Sequence, residues 1–188
     1  TLYLAAAALA ATPFVRPVGA PLRSVVAILG AGVLVHFAAL VALVIAHGHL
    51  YVAGLGPSLS LAGFVLAATL LVVEVLARDV SLTLVAAPLA AVPTVCATVI
   101  GFARASEPSG TQGAWLVAHI ALSFMGIAAF ATAAAAGVMY LVERRELKLG
   151  RFDAMFRLFP PLATLDRVNH VAALAGWLGL TVGVVLAI

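Results

Sequence analysis

Residues 24–46 read SVVAILGAGVLVHFAALVALVIA, an apolar run whose only ionisable side chain is that of His36. A transmembrane helix needs about 20 consecutive apolar residues, so this stretch predicts a helix that crosses a membrane. Comparable runs occupy residues 2–15, 58–78, 82–103, 114–142 and 168–188. None alternates polar and apolar residues as the strand of a membrane barrel does. The runs therefore predict an all-α fold, a polytopic transmembrane bundle of about six membrane helices.

The composition of the whole chain excludes a water-soluble protein. Its 188 residues are 65% hydrophobic and 9% charged, with a mean hydropathy of +1.22, whereas about a quarter of the residues in soluble domains are charged. No stretch resembles a soluble domain, so residues 1–188 are predicted to form one transmembrane domain. Pro13 and Pro17 break the short first run, and the chain starts at Thr1 rather than Met. We expect this run to be the remnant of a longer helix.

The basic residues predict how the helices are oriented. Nine of the ten lie in the connections between the first and second, third and fourth, and fifth and sixth runs, which fall on one side of the membrane. Arg104 alone lies in a connection on the other side. The nine are Arg16, Arg23, Arg78, Arg144, Arg145, Lys148, Arg151, Arg157 and Arg167. Cytoplasmic loops are enriched in Lys and Arg, so this face is predicted to be cytoplasmic and both chain ends external. The net charge of +3 is accounted for by these loops, and we expect no nucleic acid partner.

The connection 143–167 carries most of the charge and is predicted to lie at the cytoplasmic interface. Within it, RFDAMFRLF (151–159) places bulky apolar residues at the i, i+3, i+4 and i+7 spacing of one helix face. Arginines flank that face, which is typical of a short helix lying in the plane of the headgroups.

Five histidines stand out in a chain with few polar groups: His36, His47, His49, His119 and His170. His36 is predicted near the bilayer midplane, where a polar ring is costly unless it has a partner or a ligand. It could bond to a neighbouring helix, or it could ligate haem or a metal. His119 begins the fifth run with Trp115 one turn before it, and His47 and His49 are predicted on the same outer side. These three histidines could line a haem or metal site, or they could be unrelated interfacial side chains.

Other sequence features favour packing over catalysis. The chain has no phosphate-binding glycine loop, no HExxH, no GxSxG and no paired carboxylates, so nothing supports a hydrolase, an ATP-driven pump or a kinase. We expect no catalytic residues and no enzymatic turnover. Gly126, Ala129, Ala133 and Gly137 form a small-residue face on the fifth run, which predicts close helix packing. Such faces could also contact other membrane subunits.

The second half of the chain resembles the cytochrome c assembly proteins of the CcsA/HemX/YpjD group. The group's W-x-x-x-H motif is matched by Trp115 and His119, and its Y-L-x-x-R-R-x-L-K motif by residues 140–148. Its P-P-L-x-x-L-(D/E)-R motif is matched by residues 160–167. The sequence around His36 and residues 58–64 are also similar to the group's N-terminal half.

The resemblance implies a multi-pass protein of the bacterial inner (cytoplasmic) membrane that binds or escorts haem, with haem b as the candidate cofactor. It would act in cytochrome c maturation or haem-pathway regulation, with the apocytochrome c machinery as partner. His119 matches the outer ligand and His36 the intramembrane one. A second outer ligand could be His47, His49 or a histidine in a C-terminal part beyond residue 188. The group's tryptophan-rich haem-presenting loop is not matched, because Trp115 and Trp177 are the only tryptophans. We expect either that the chain stops before this loop or that it belongs to a branch without it.

Two other functions fit the same fold. One is a structural membrane subunit of a larger respiratory or photosynthetic complex without haem, which the small-residue faces and the missing loop favour. The other is a transporter, which ranks third because the runs supply almost no charged residues beyond His36 for a polar path.

Overall fold

A computed structural model describes residues 2–12, 22–48, 54–77, 81–101, 114–150 and 159–187. These residues form six α-helices and no strands. The helices are α1 (Leu2–Ala10), α2 (Leu22–His47), α3 (Leu55–Ala77), α4 (Ser81–Ile100), α5 (Ala114–Leu149) and α6 (Leu162–Val185). The predicted all-α helical bundle is confirmed.

Five of these helices, α2 to α6, are long and apolar enough to cross a membrane. The first helix differs from the predicted run 2–15, because it ends at Ala10 and its nine residues span only about 14 Å at 1.5 Å per residue. That is about half of the hydrocarbon thickness of a bilayer. The protein is a multi-pass membrane protein in which α1 packs against α2 and α4.

The boundaries of the charged connection also differ from the prediction. The fifth helix continues past Val142 to Leu149, and the sixth begins at Leu162, so both ends of the predicted interfacial segment 143–167 are helical. ERRELKL contains good helix formers and no Gly or Pro, which lets the helix continue beyond the apolar run. Gly150 then adopts a positive φ of 65°, as is common after the last turn of a helix. The predicted interfacial helix falls mainly on residues 151–158, outside the described residues.

The helix pairs α2/α3, α3/α4 and α5/α6 run antiparallel. His36 of α2 bonds to Ser60 of α3, and a Cβ on Gly30 would lie 4.0 Å from the Leu71 side chain. On α3, a Cβ added to Gly56 would contact Gly101, just after the end of α4. One added to Gly63 would contact Thr94, in the second half of α4. Along α5 and α6, residues 123, 126 and 137 lie opposite residues 183, 180 and 169.

The core of the bundle consists largely of alanines with a few larger side chains. Its larger buried members include Tyr3, Leu29, Leu70, Leu82, Met139 and Leu165, which come from all six helices. Small residues are typical of membrane helix interfaces, where close backbone approach supplies the packing energy. Large apolar side chains such as Leu34, Ile45, Leu76, Val99 and Trp177 are exposed on the bundle surface, where lipid would contact them.

A buried carboxylate joins α3 to α4. Glu74 is fully buried, and its Oε1 accepts a hydrogen bond of 2.5 Å from the backbone N–H of Thr83. The first N–H groups of a helix have no intrahelical acceptor. Glu74 therefore supplies the acceptor for α4 from the neighbouring helix.

Candidate functional site

The clearest candidate ligand is His119, in the second turn of α5. It lies about 8 Å from the start of the helix at 1.5 Å per residue. The half-buried ring places Nδ1 2.6 Å from the backbone oxygen of Gly183 on α6. A carbonyl oxygen can only accept, so Nδ1 must carry the hydrogen. In the neutral ring, the lone pair then resides on Nε2.

The Gly183 carbonyl can accept this bond because it lies at the end of α6. The backbone N–H of Leu186 bonds to Val182, and that of Ala187 bonds to Val184. Neither is directed to Gly183. The last four carbonyls of a helix lack the i+4 donor, and here His119 supplies a donor from another helix.

Glycines bring α5 and α6 close enough for this contact. A Cβ on Gly126 would lie 2.7 Å from the Leu180 nitrogen, and one on Gly179 would lie 3.1 Å from the Gly126 Cα. A Cβ on Gly183 would lie 2.7 Å from the Ser123 Oγ. The small-residue face predicted on the fifth run is thus covered by α6 around Gly126. That part cannot also contact another subunit, because a neighbouring backbone already occupies the space.

The other predicted outer-side residues are only partly described. Trp115, one turn before His119, is 63% exposed at the start of α5. The backbone of His47 ends α2, but its side chain and all of His49 lie outside the described part. Pairing of either histidine with His119 stays a prediction.

His36 has a different environment. Its Nδ1 lies 2.9 Å from the hydroxyl oxygen of Tyr3 on α1, and its Nε2 lies 3.0 Å from that of Ser60 on α3. The ring also packs edge-on against Phe64, with centroids 5.6 Å apart. In either tautomer both ring nitrogens are engaged. His36 could bind iron only if one of these contacts were given up.

A small, open cavity lies beside His36. A cavity of about 220 Å³ adjoins the ring, whereas pockets for organic ligands usually measure about 300–1,000 Å³. Its lining is almost entirely apolar and comes from α1, α2 and α4: Leu2, Tyr3, Gly32, Val35, His36, Ala39 and Thr94. Haem ligation by His36 stays a prediction that would require one of its two hydrogen bonds to open, whereas Nε2 of His119 has no such bond to give up.

Three residues at these sites were not predicted from the sequence: Tyr3, Ser60 and Gly183. Tyr3 and Ser60 carry hydroxyl groups in largely apolar helices, which is a signal for a polar contact but not for its partner. Gly183 acts through its backbone, and glycine spacing along the sixth run was the only available signal.

Comparison with known families agrees with the resemblance. The family described as Cytochrome C assembly protein matches residues 36–186, well over half of the chain. The chain belongs to the cytochrome c assembly protein family. The match includes His36, His119 and Gly183. Membership supports a role for this protein in cytochrome c maturation. Comparisons with curated proteins and with solved structures give no match.

Proposed function

We propose that this cytochrome c assembly protein binds haem at the outer end of the α5/α6 pair, with His119 Nε2 as an axial ligand. One observation carries the proposal: Nδ1 donates to the Gly183 carbonyl, which leaves the Nε2 lone pair for iron. Histidines that bind metals almost always donate their other ring N–H to a carbonyl, a carboxylate or water. Histidine is also a common axial ligand of haem.

The surroundings of His119 suit an apolar, flat cofactor. Trp115 offers an exposed aromatic ring one turn before His119, and the neighbouring residues on that face of α5 are uncharged. The bound iron would accept the Nε2 lone pair, and the protein would hold and escort the cofactor. We place this role in the bacterial inner membrane, at the step that supplies haem to apocytochrome c, without enzymatic turnover by this chain.

An absorbance spectrum tests the proposal. The protein is purified from cells grown with excess haem, together with the variants His119→Ala and His170→Ala. His170 is exposed in the third turn of α6, away from Gly183, so its variant is the matched control. We expect a Soret band in the wild type and the control, and its loss in His119→Ala. Partial return of the band on adding imidazole would show that the missing group is the ring itself.

Two results would contradict the proposal: a wild-type protein without a Soret band, and a Soret band unchanged in His119→Ala. The first would favour the alternative role of a structural membrane subunit. The environment of His36 favours a structural role for this residue. Both ring nitrogens are hydrogen-bonded, to Tyr3 and to Ser60, so the ring joins helices.

A further inference from the structure

We infer that Gly183 is a positioning residue, whose carbonyl selects the His119 tautomer and whose missing side chain holds that carbonyl within reach. The inference deepens the proposed haem site and rests on it for its functional meaning. The effect on the histidine itself can be measured without haem.

The first support is the crowding at Gly183. It is buried against α5, and a Cβ built on it would lie 2.7 Å from the Ser123 Oγ and 3.1 Å from the Ser123 nitrogen. The hydroxyl could rotate away, but a backbone nitrogen cannot move without shifting the helix. A side chain at position 183 therefore requires the Ser123 hydroxyl to rotate and the facing backbones of α5 and α6 to shift by a few tenths of an ångström.

The second support is the register of the two helices. His119 and Ser123 are four residues apart and share one face of α5. The same turn of α6 therefore contacts Ser123 through its Cα side and His119 through its carbonyl oxygen. A displacement that relieves crowding at Ser123 also moves the acceptor of the His119 bond.

The consequence concerns the proton on the ring. While the carbonyl accepts from Nδ1, a neutral His119 keeps its lone pair on Nε2. Without that acceptor the proton can also reside on Nε2, and this tautomer has no lone pair there for iron. Loss of comparable partners of metal-binding histidines typically lowers metal affinity by about 10–100-fold, and we expect a loss of that size for haem in Gly183→Ala.

The test measures the tautomer by ¹⁵N NMR of the full-length protein without haem, labelled at histidine. In the wild type, His119 is expected in the Nδ1–H form. The variant Gly183→Ala should lose that form or show both tautomers. The double variant Ser123→Ala/Gly183→Ala, which lacks the nearest colliding atom, should recover part of it. Should Gly183→Ala fail to fold, Ser123→Thr adds a single methyl group at the same contact and should shift the tautomer in the same direction.

Two matched glycines distinguish positioning from general packing. A Cβ on Gly137 would make only an ordinary contact of 3.7 Å with Asn169, whereas one on Gly176 would lie 2.9 Å from the Phe130 ring. Gly137→Ala should behave as the wild type. Gly176→Ala should perturb packing but leave the tautomer unchanged, because it lies about two turns from the carbonyl.

The inference is overturned if Gly183→Ala keeps the wild-type tautomer, or if Gly176→Ala changes the tautomer equally. Haem titration of the same variants is a separate measurement. A wild type that binds no haem would refute the proposed function while the NMR result still decides the role of Gly183. Haem binding through His119 with equal affinity in the wild type and Gly183→Ala would refute the inference alone.

Discussion

The imidazole of His36 contacts hydroxyl groups on two other helices, whereas that of His119 contacts one carbonyl group on one helix. The number of engaged nitrogens decides what each ring can do. His36 joins α1, α2 and α3 in a region where lone polar groups are costly. His119 is oriented by one nitrogen and offers the other, which is the arrangement expected of a ligand.

We predict that His36→Ala destabilises the fold without removing a haem bound at His119. The substitution leaves the Ser60 hydroxyl without its partner, which costs about 1–3 kcal/mol for a buried polar group, whereas the Tyr3 hydroxyl keeps its 3.5 Å hydrogen bond to the Gly32 carbonyl. Chemical unfolding in detergent measures the loss, with His170→Ala as the exposed control. A Soret band that disappears in His36→Ala, while the protein stays folded, would instead identify His36 as an iron ligand.

The helices themselves could largely be predicted from the sequence, because apolar runs define membrane spans. The helix ends were not predicted, because the end of an apolar run does not mark the end of a helix. In the structure α5 extends through Arg144 and Arg145, and α6 already includes Asp166 and Arg167. The partners of individual polar side chains on other helices could not be predicted. Tyr3 and Ser60 are 33 and 24 residues from His36, and no spacing rule connects residues at such separations on different helices.

The close approach of α5 and α6 leads to a prediction for Gly126→Ala. The added Cβ would lie 2.7 Å from the Leu180 nitrogen and 3.0 Å from the Gly176 oxygen, and both are backbone atoms. Overpacking of this kind costs about 1–3 kcal/mol. Thermal unfolding should therefore show a lower midpoint than for Gly137→Ala, the matched control, whose Cβ would make only an ordinary contact of 3.7 Å with Asn169. Equal midpoints would mean that the helices separate there at no cost.

The hydrogen bond between Glu74 and the Thr83 N–H leads to a prediction about the start of α4. Glu74→Ala removes the acceptor of the Thr83 N–H, and loss of a helix cap costs about 0.5–2 kcal/mol. Hydrogen exchange should become faster in the first turn of α4, while Glu74→Gln, which keeps an oxygen acceptor, should change it less. Unchanged protection in Glu74→Ala would show that this hydrogen bond does not stabilise the start of α4.

For the whole molecule, the five helices α2 to α6 are long and apolar enough to cross a membrane, and the α2/α3, α3/α4 and α5/α6 pairs run antiparallel. The described basic residues Arg144, Arg145 and Lys148 at the end of α5, and Arg167 at the start of α6, lie at the same end of the antiparallel α5/α6 pair. His119 and Gly183 lie at the other end. Orientation of the molecule therefore determines which compartment the candidate haem site faces, and that links topology to function.

We predict that the end carrying the basic residues is cytoplasmic, because Lys and Arg near helix ends are retained on that side. The test uses single cysteines in a Cys96→Ala background, since Cys96 is exposed on α4. A membrane-impermeant maleimide applied to intact cells should label Gly110→Cys but not Leu149→Cys, which lies at the exposed end of α5. Permeabilised cells should label both, which controls for reactivity. Labelling of Leu149→Cys in intact cells would reverse the topology. It would place His119 on the cytoplasmic side, away from the compartment where haem is attached to apocytochrome c.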